Sequence, residues 1–217
     1  MEKQQMLIIP IIDTCGGMSH DGNIHKVNDM MRKMPTQLGD IEKQTGTEFL
    51  LAPIVFNSGA KWQGLSNGQP ARVSEFVWED VRASGGADLA SAYAILIEKL
   101  TFKEKGGWME KGKFVQPILL LILDEEPYFG WETNLCELKK KGWFKVAIKI
   151  GVDVRSAGCP ELKAFTEDEE SIFGIDVCED GRIFELIRSI ATPIRWVSPT
   201  QEDLERADKD VGFDDFF

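Results

Sequence analysis

The stretch that decides the fold of this chain is residues 7–18, which read LIIPIIDTCGGM. A strand-length apolar run ends at Asp13, and a glycine-bearing turn follows before a helical pattern begins near Asn23. This order places a carboxylate at the carboxyl end of a buried strand, where open α/β sheets bind their ligands. We therefore expect Asp13 to lie at the functional edge of a sheet.

Strand and helix patterns alternate along the rest of the chain, which is typical of a layered α/β fold. Apolar residues three and four positions apart predict a first helix over 23–44, which Pro35 should kink or split. Val115 to Leu123 is almost continuously apolar, as expected of a parallel strand covered on both faces, and Asp124 follows it. We predict one doubly wound α/β domain with a mostly parallel six-stranded sheet flanked by helices.

The remaining elements follow from shorter patterns. Further strands are predicted at 47–56, 61–63, 72–77, 144–150 and 171–175, and further helices at 89–100, 132–141, 160–165 and 183–194. Pro10 fits poorly, because it removes a hydrogen-bond donor from a predicted central strand. We place the domain at residues 1–198 and an acidic, aromatic-ended tail at residues 199–217.

Composition narrows the classes of function. The 217 residues carry a net charge of −11, with a pI of about 4.8, which argues against a nucleic-acid or anionic-membrane surface. We expect no signal peptide or membrane span at the beginning of the chain, because its apolar run is too short and lacks a cleavage pattern. The four cysteines show no paired spacing, so we interpret them as reduced thiols of a cytoplasmic protein.

Four segments carry a resemblance to a known family: residues 13–18, 83–89, 116–127 and 144–153, in that order. With them the chain resembles a von Willebrand factor type A domain, and more closely the bacterial TerY-like, tellurium-resistance-associated subgroup. The resemblance spans roughly residues 6–197 and implies the same α/β fold. It also implies a role in a stress or chemical-resistance assembly, with a protein kinase and a phosphatase as associated partners.

The resemblance also implies a metal-ion-dependent adhesion site, but an altered one. In this family two serines and a threonine bind Mg²⁺ or Mn²⁺ directly, while two aspartates act largely through water. The chain keeps the aspartates, as Asp13 and Asp124, whereas Cys15, Gly17 and Ala87 stand at the hydroxyl positions. A cysteine sulfur is too soft to suit Mg²⁺. We therefore expect no bound cofactor, with the aspartates serving as turn and helix-capping carboxylates.

Two alternatives remain open at this point. Asp13 and Asp124, with Asp88 as a substitute ligand, could still hold Mg²⁺ or Mn²⁺ in an adhesion-type switch or a hydrolase. Cys15 could instead be a nucleophile, since a nearby helix N-terminus lowers the pKa of a thiol. However, Asp21 occupies the position where a Cys-x5-Arg phosphatase loop needs arginine.

An aromatic group follows Asp124, where the family usually has a polar loop. Aromatic residues at a loop rim often anchor protein interfaces, although they can also pack beneath the loop. We predict a non-catalytic interaction module for a protein partner, which binds through Asp13, Cys15, Asp88, Asp124, Tyr128, Phe129 and Trp131. The tail, which alternates acidic and aromatic residues, is either a second recognition segment or a frayed end.

Overall fold

A computed structural model describes residues 4–110, 112–124, 126–128, 130–155 and 158–192. The strands in these ranges are β1 (Gln5–Asp13), β2 (Glu48–Leu51), β3 (Ile54–Phe56), β4 (Ala60–Trp62), β5 (Ala71–Arg72), β6 (Ile118–Leu123), β7 (Ile148–Asp153) and β8 (Ile172–Gly174). The helices are α1 (Asn23–Thr45), α2 (Leu89–Lys99), α3 (Trp131–Lys139), α4 (Gly142–Lys145), α5 (Pro160–Thr166), α6 (Asp176–Glu179) and α7 (Arg182–Ala191). Short 3-10 turns occur at Gly16–Gly22, Lys103–Lys105 and Glu169–Ser171.

The strands form one sheet with six positions, in the order β4–β3–β1–β6–β7–β8. Strands β2 and β3 lie end to end along β1, and the short strands β5 and β4 pair with them antiparallel on the outer side. The other strand pairs are parallel. The predicted fold, a mostly parallel six-stranded sheet flanked by helices, is confirmed.

The position of Pro10 explains why β2 and β3 are separate. The two strands pair with β1 in one constant register, which puts Pro10 opposite Pro53. Ala52 N–H donates to Ile8 O at 3.1 Å, so the backbone of Pro10, two residues further along, faces the same side. Its missing donor falls at the break between β2 and β3. On the other side β1 pairs with β6 without interruption, so no bulge is needed.

Helix α1 is continuous over 23 residues although it contains Pro35. Of the two expected outcomes, a kink or a split, the split at Pro35 therefore does not occur. Met31 and Met34 before the proline, and Leu38 and Ile41 after it, are all fully buried. This packing on both sides offsets the loss of one hydrogen bond inside the helix, since tertiary contacts supply most helix stability in proteins.

Two predicted strands differ from the structure. Only Ala71 and Arg72 of the 71–77 region pair with another strand, because the chain then turns, with Phe76 N–H donating to Arg72 O at 2.9 Å. The strand predicted from Phe144 begins at Ile148 instead, and Phe144 lies in the short helix α4. Phe144 is fully buried, and an apolar pattern alone does not separate a buried helical turn from a buried strand.

None of the helices in the described ranges is both long and apolar enough to cross a membrane. The predicted tail, residues 199–217, lies outside the described residues, as does the end of the predicted domain after residue 192.

Candidate functional site

Two neighbouring strands end at aspartates on the same edge of the sheet. Asp13 is the last residue of β1, and Asp124 directly follows β6, which pairs with β1. Asp13 is fully buried and Asp124 is 5% exposed. The backbone N–H of Asp124 donates to Asp13 Oδ2 at 3.2 Å. The carboxylate of Asp13 therefore ties the ends of two strands together.

Cys15 lies between the two carboxylates. Its backbone N–H donates to Asp13 Oδ1 at 2.8 Å, and its thiol donates to Asp13 Oδ2 at 3.4 Å. The same sulfur is 3.9 Å from Asp124 Oδ2, and the residue has no exposed surface. We name Asp13, Cys15 and Asp124 the aspartate corner. Donors of the protein itself occupy both oxygens of Asp13, as expected of a carboxylate that holds a turn.

The donor set of the aspartate corner does not fit Mg²⁺ or Mn²⁺. Gly17 and Ala87, at the positions where the family has hydroxyls, are buried and carry no side-chain oxygen. Mg²⁺ requires nearly octahedral oxygen coordination. In the described parts of the chain, no three histidine, cysteine or acidic side chains are grouped so that they could hold a metal ion.

Asp88 is held at the start of its own helix. Its Oδ1 accepts a hydrogen bond from Ser91 N–H at 3.0 Å, and its Oδ2 accepts one from Ser91 Oγ at 2.6 Å. This is the N-cap arrangement that satisfies a free backbone donor in the first turn of a helix. Both carboxylate oxygens of Asp88 thus accept hydrogen bonds from the first turn of α2.

Backbone hydrogen bonds join three turns at this edge. Gly16 N–H donates to Gly85 O at 2.9 Å, which links the turn after β1 to the turn before α2. Tyr128 N–H donates to Ala87 O at 2.9 Å, which links the turn after β6 to the same place. The sequence segments expected to converge are therefore in contact, and they form one continuous strand-end face.

The aromatic residues of the turn after β6 differ in exposure. Tyr128 is 56% exposed and lies over Gly86, where an added Cβ would come within 1.7 Å of the tyrosine Oη. Trp131 opens α3, is half-buried, and packs against the core. Phe129 lies outside the described residues. We name Tyr128 and Trp131 the aromatic rim, because they lie in the turn after β6 and at the start of α3, shortly after Asp124 in the chain.

Asp153 is a third aspartate at a strand end, and the sequence interpretation did not single it out. It closes β7 and is 7% exposed. Its Oδ1 accepts the N–H of Arg155 at 3.1 Å, and its Oδ2 accepts the N–H of Gly158 at 3.0 Å. The signal was present, since an apolar strand ends in an aspartate here as it does at Asp13.

Asn28 is a second residue that the sequence pattern did not reveal. It lies on the buried face of α1 and is 2% exposed. Its Nδ2 donates to Val81 O at 2.9 Å, and its Oδ1 accepts hydrogen bonds from Val81 N–H and Trp78 Nε1, each at 3.0 Å. Asn28 thus fixes the chain before the turn of α2. Trp78 faces α1 here, whereas Trp62 packs against Trp108, with ring centroids 4.5 Å apart.

Neither a protein-family model nor a curated protein sequence matches the chain. Several solved structures do. Proximal thread matrix protein 1 from the mussel byssus has a TM-score of 0.62 and 15% identity over 87% of this chain and 48% of its own length. A von Willebrand factor type A protein from Catenulispora acidiphila has a TM-score of 0.57 and 10% identity, covering 87% of this chain and 43% of that one.

The chain adopts the von Willebrand factor type A fold. The pilus adhesin SpaC from Lactobacillus rhamnosus GG is also structurally similar, with a TM-score of 0.60 and 10% identity over 88% of this chain and 31% of its own length. At these identities the likeness extends to the type A fold and not to a subgroup of it. The chain spans less than half the length of each of these proteins. Another structure of the mussel protein has a zinc-occupied MIDAS (metal-ion-dependent adhesion site) motif.

Proposed function

We propose that this type A domain is a non-catalytic protein-interaction module, which binds its partner through the strand-end face: the aromatic rim makes the contact, and the buried aspartate corner holds the face in shape. The observation that carries this proposal is the position of Tyr128. Its side chain is 56% exposed on the edge where three turns meet. Tyrosine is enriched at protein interfaces because it offers a large apolar surface together with a polar end.

We propose further that binding does not depend on a metal ion. In a type A domain with a complete adhesion site, hydroxyl groups would contact the ion. Here the thiol of Cys15 lies between the carboxylates of Asp13 and Asp124, and a backbone N–H already occupies each oxygen of Asp13. The corner supports the shape of the face, and the rim supplies the exposed contact.

The proposal of a non-catalytic role is supported by the burial of the candidate nucleophile. A catalytic thiol must reach its substrate. Cys15 has no exposed surface, and its sulfur faces two carboxylates of the corner. The face offers exposed aromatic surface but no exposed nucleophile at Cys15.

For the partner, we propose a cytoplasmic kinase or phosphatase within a stress or chemical-resistance assembly. This part of the proposal rests on the sequence resemblance to TerY-like proteins, which is carried by residues 13–18, 83–89, 116–127 and 144–153. The type A fold is compatible with it, because this fold presents its strand-end turns as one continuous face.

A functional Mg²⁺ or Mn²⁺ site is the alternative, and one observation favours it. Asp13 and Asp124 remain adjacent at the ends of paired strands, as a metal site of this fold requires. A metal that binds only the folded chain raises its melting temperature. A melting temperature that rises with millimolar Mg²⁺ or Mn²⁺ would support the alternative, whereas an unchanged one would support metal independence.

The experiment that tests the proposal is affinity capture from native lysate, quantified by mass spectrometry, with Mg²⁺ in one arm and EDTA in the other. We expect specific proteins to be retained in both arms by the wild type, and at least about tenfold less by Tyr128→Ala. Val77→Ala is the matched control, because Val77 is a large apolar residue that is 70% exposed and belongs to neither the aspartate corner nor the aromatic rim. Equal capture by Tyr128→Ala and wild type would contradict the proposal.

A further inference from the structure

We propose that residues 194–197, which read IRWV, dock into an apolar groove between β8 and α7. The groove has a volume of about 290 Å³ and is lined by Phe173 of β8, Val177 of α6 and a stripe along α7. It lies beside the last strand of the sheet, whereas the strand-end face is built on β1 and β6. The inference goes beyond the proposed function and does not rest on it.

Helix α7 carries more apolar surface than the described core covers. Ile187 is fully buried, whereas Leu186 beside it is only partly buried. Leu186 belongs to the stripe that faces the groove, together with Arg182, Glu185 and Ser189 at helical spacing. Across the groove, the phenylalanine ring of β8 is partly exposed as well. Apolar surface of this kind is stabilised when another apolar side chain covers it.

The groove adjoins an open edge of the sheet. Among the residues that the structure describes, β8 pairs only with β7. An edge strand with free backbone groups invites pairing with other chains, and proteins often cover such an edge with a helix or a loop. A following segment of the same chain that lies over the groove would shield this side of the domain from association.

Residues 194–197 are close enough in the chain to reach the groove. Thr192, directly after α7, has an extended backbone with φ −70° and ψ 122°, which is favoured before a proline such as Pro193. Ser189 on the groove wall lies only three positions earlier. Leu186 is about 9 Å from Thr192 along the helix axis, at about 1.5 Å per residue. Four extended residues span up to about 14 Å, so Trp196 can reach Leu186.

The segment also fits the groove in size and in apolar character. Ile194, Trp196 and Val197 are apolar. Sites for small molecules usually enclose about 300–1,000 Å³. A groove of about 290 Å³ is therefore better suited to one large side chain than to a separate ligand. A tryptophan is the largest such side chain, and an aromatic residue buries about 150–250 Å² of surface.

Charge favours this segment over the aromatic end of the tail as the occupant. Arg182 is already paired with Asp176 and Asp180, and Glu185 forms no ion pair with any residue that the structure describes. The surroundings of the groove are therefore negative. Arg195 brings a positive charge to them, whereas the stretch 202–217 has seven acidic and two basic residues and would be repelled.

The test is alkylation of an engineered cysteine on the groove wall of the full chain, followed by peptide mass spectrometry. Ser189→Cys places a thiol on that wall. We expect Trp196→Ala to speed alkylation of this thiol by at least about fivefold, because the docked ring shields it. Arg188→Cys is the matched control, since Arg188 is exposed on the same helix but does not line the groove. Trp196→Ala should change its rate by less than about twofold.

Each of four other results would overturn the inference. An equal rate at Ser189→Cys with and without Trp196→Ala would show that this segment does not cover the groove. Acceleration by Phe216→Ala instead would show that the end of the tail occupies it. Protection that appears only at high protein concentration would identify a second copy of the chain as the occupant. Equal acceleration at Ser189→Cys and Arg188→Cys would show that Trp196→Ala loosens α7 as a whole.

Discussion

The aspartate corner and the aromatic rim lie on the same edge of the sheet, but they differ in how their polar and apolar groups are used. The corner is buried, and hydrogen bonds from Cys15 and Asp124 satisfy the carboxylate of Asp13. At the rim, Tyr128 presents more than half of its side chain to solvent. The difference shows that the corner is a buried joint between two strand ends, whereas the rim next to it exposes aromatic surface.

A second comparison shows what distinguishes the corner from an ordinary turn. Asp13 and Asp153 both end a strand, and each accepts at least two backbone hydrogen bonds. Asp13 joins the ends of two strands, whereas the donors to Asp153, from Arg155 and Gly158, belong to its own loop. Both donor residues of that loop are exposed, so water can replace a lost acceptor there.

The largest effect should follow from removal of the Asp13 carboxylate. We expect Asp13→Ala to lower the free energy of unfolding by about 3–4 kcal/mol, because it leaves the buried N–H groups of Cys15 and Asp124 without an acceptor. Asp153→Ala should cost about 1–2 kcal/mol, since its donors can be rehydrated. Urea denaturation of the two variants measures the difference. Equal losses would show that the link between strands contributes nothing beyond a turn.

The next effect tests whether the corner is a metal site that has lost its ligands. Cys15→Ser/Gly17→Ser/Ala87→Thr restores the three hydroxyls that the family uses. We expect Mg²⁺ at 100 times its dissociation constant to stabilise this variant by about 2.7 kcal/mol, and to leave the wild type unchanged. The measurement is thermal unfolding with Mg²⁺ or EDTA.

Circular dichroism controls for folding of the triple variant, because Ala87 is 1% exposed and threonine is larger. Cys15→Ser alone, which adds a single hydroxyl, should respond much less to Mg²⁺. Stabilisation of the wild type by Mg²⁺ would contradict the comparison, since it would show that the corner still binds metal.

Cysteine reactivity offers a third way to separate a buried joint from an exposed site. Cys136 is exposed and should be alkylated first. Burial raises the pKa of Cys178 to about 12, with Asp176 and Asp180 adding to the shift. Burial and a hydrogen bond to Glu161 likewise raise the pKa of Cys159 to about 12. Few thiolates form at these two positions near neutral pH, so their alkylation should be slow and should accelerate as pH rises.

Cys15 should also react slowly in this experiment, because the reagent must first reach a fully buried sulfur. Mass spectrometry of tryptic peptides over time gives the rate for each cysteine. Alkylation of Cys15 as fast as that of Cys136 would contradict its role in a closed corner, and would revive the hypothesis of a nucleophilic thiol.

The sequence predicted the sheet and the strand-end edge because both depend on strong local signals. The apolar runs that end at Asp13 and Asp124 could be found by inspection, and their convergence follows from parallel pairing. The sequence could not give the contacts of Asn28. These join residues that are 50 and 53 positions apart in the chain and meet only after folding. Local pattern also failed at Phe144, whose burial fits a helical turn and a strand equally well.

The smallest expected effect on stability is also the sharpest test of the rim. Gly86 has an ordinary backbone conformation, but a Cβ there would lie 1.7 Å from Tyr128 Oη and must displace the ring. Because Tyr128 is exposed, its ring can rotate into solvent, and Gly86→Ala should change the free energy of unfolding by less than about 1 kcal/mol. Gly39→Ala is the matched control, since no atom lies within 4 Å of its added Cβ.

We expect Gly86→Ala to reduce partner capture as strongly as Tyr128→Ala, whereas Gly39→Ala captures normally. Such a result would show that the partner recognises the tyrosine ring where Gly86 allows it to lie, and not merely an apolar side chain at position 128. Normal capture by Gly86→Ala together with loss in Tyr128→Ala would mean that the ring adapts to the partner. The rim would then be an adjustable contact, unlike the fixed corner beside it.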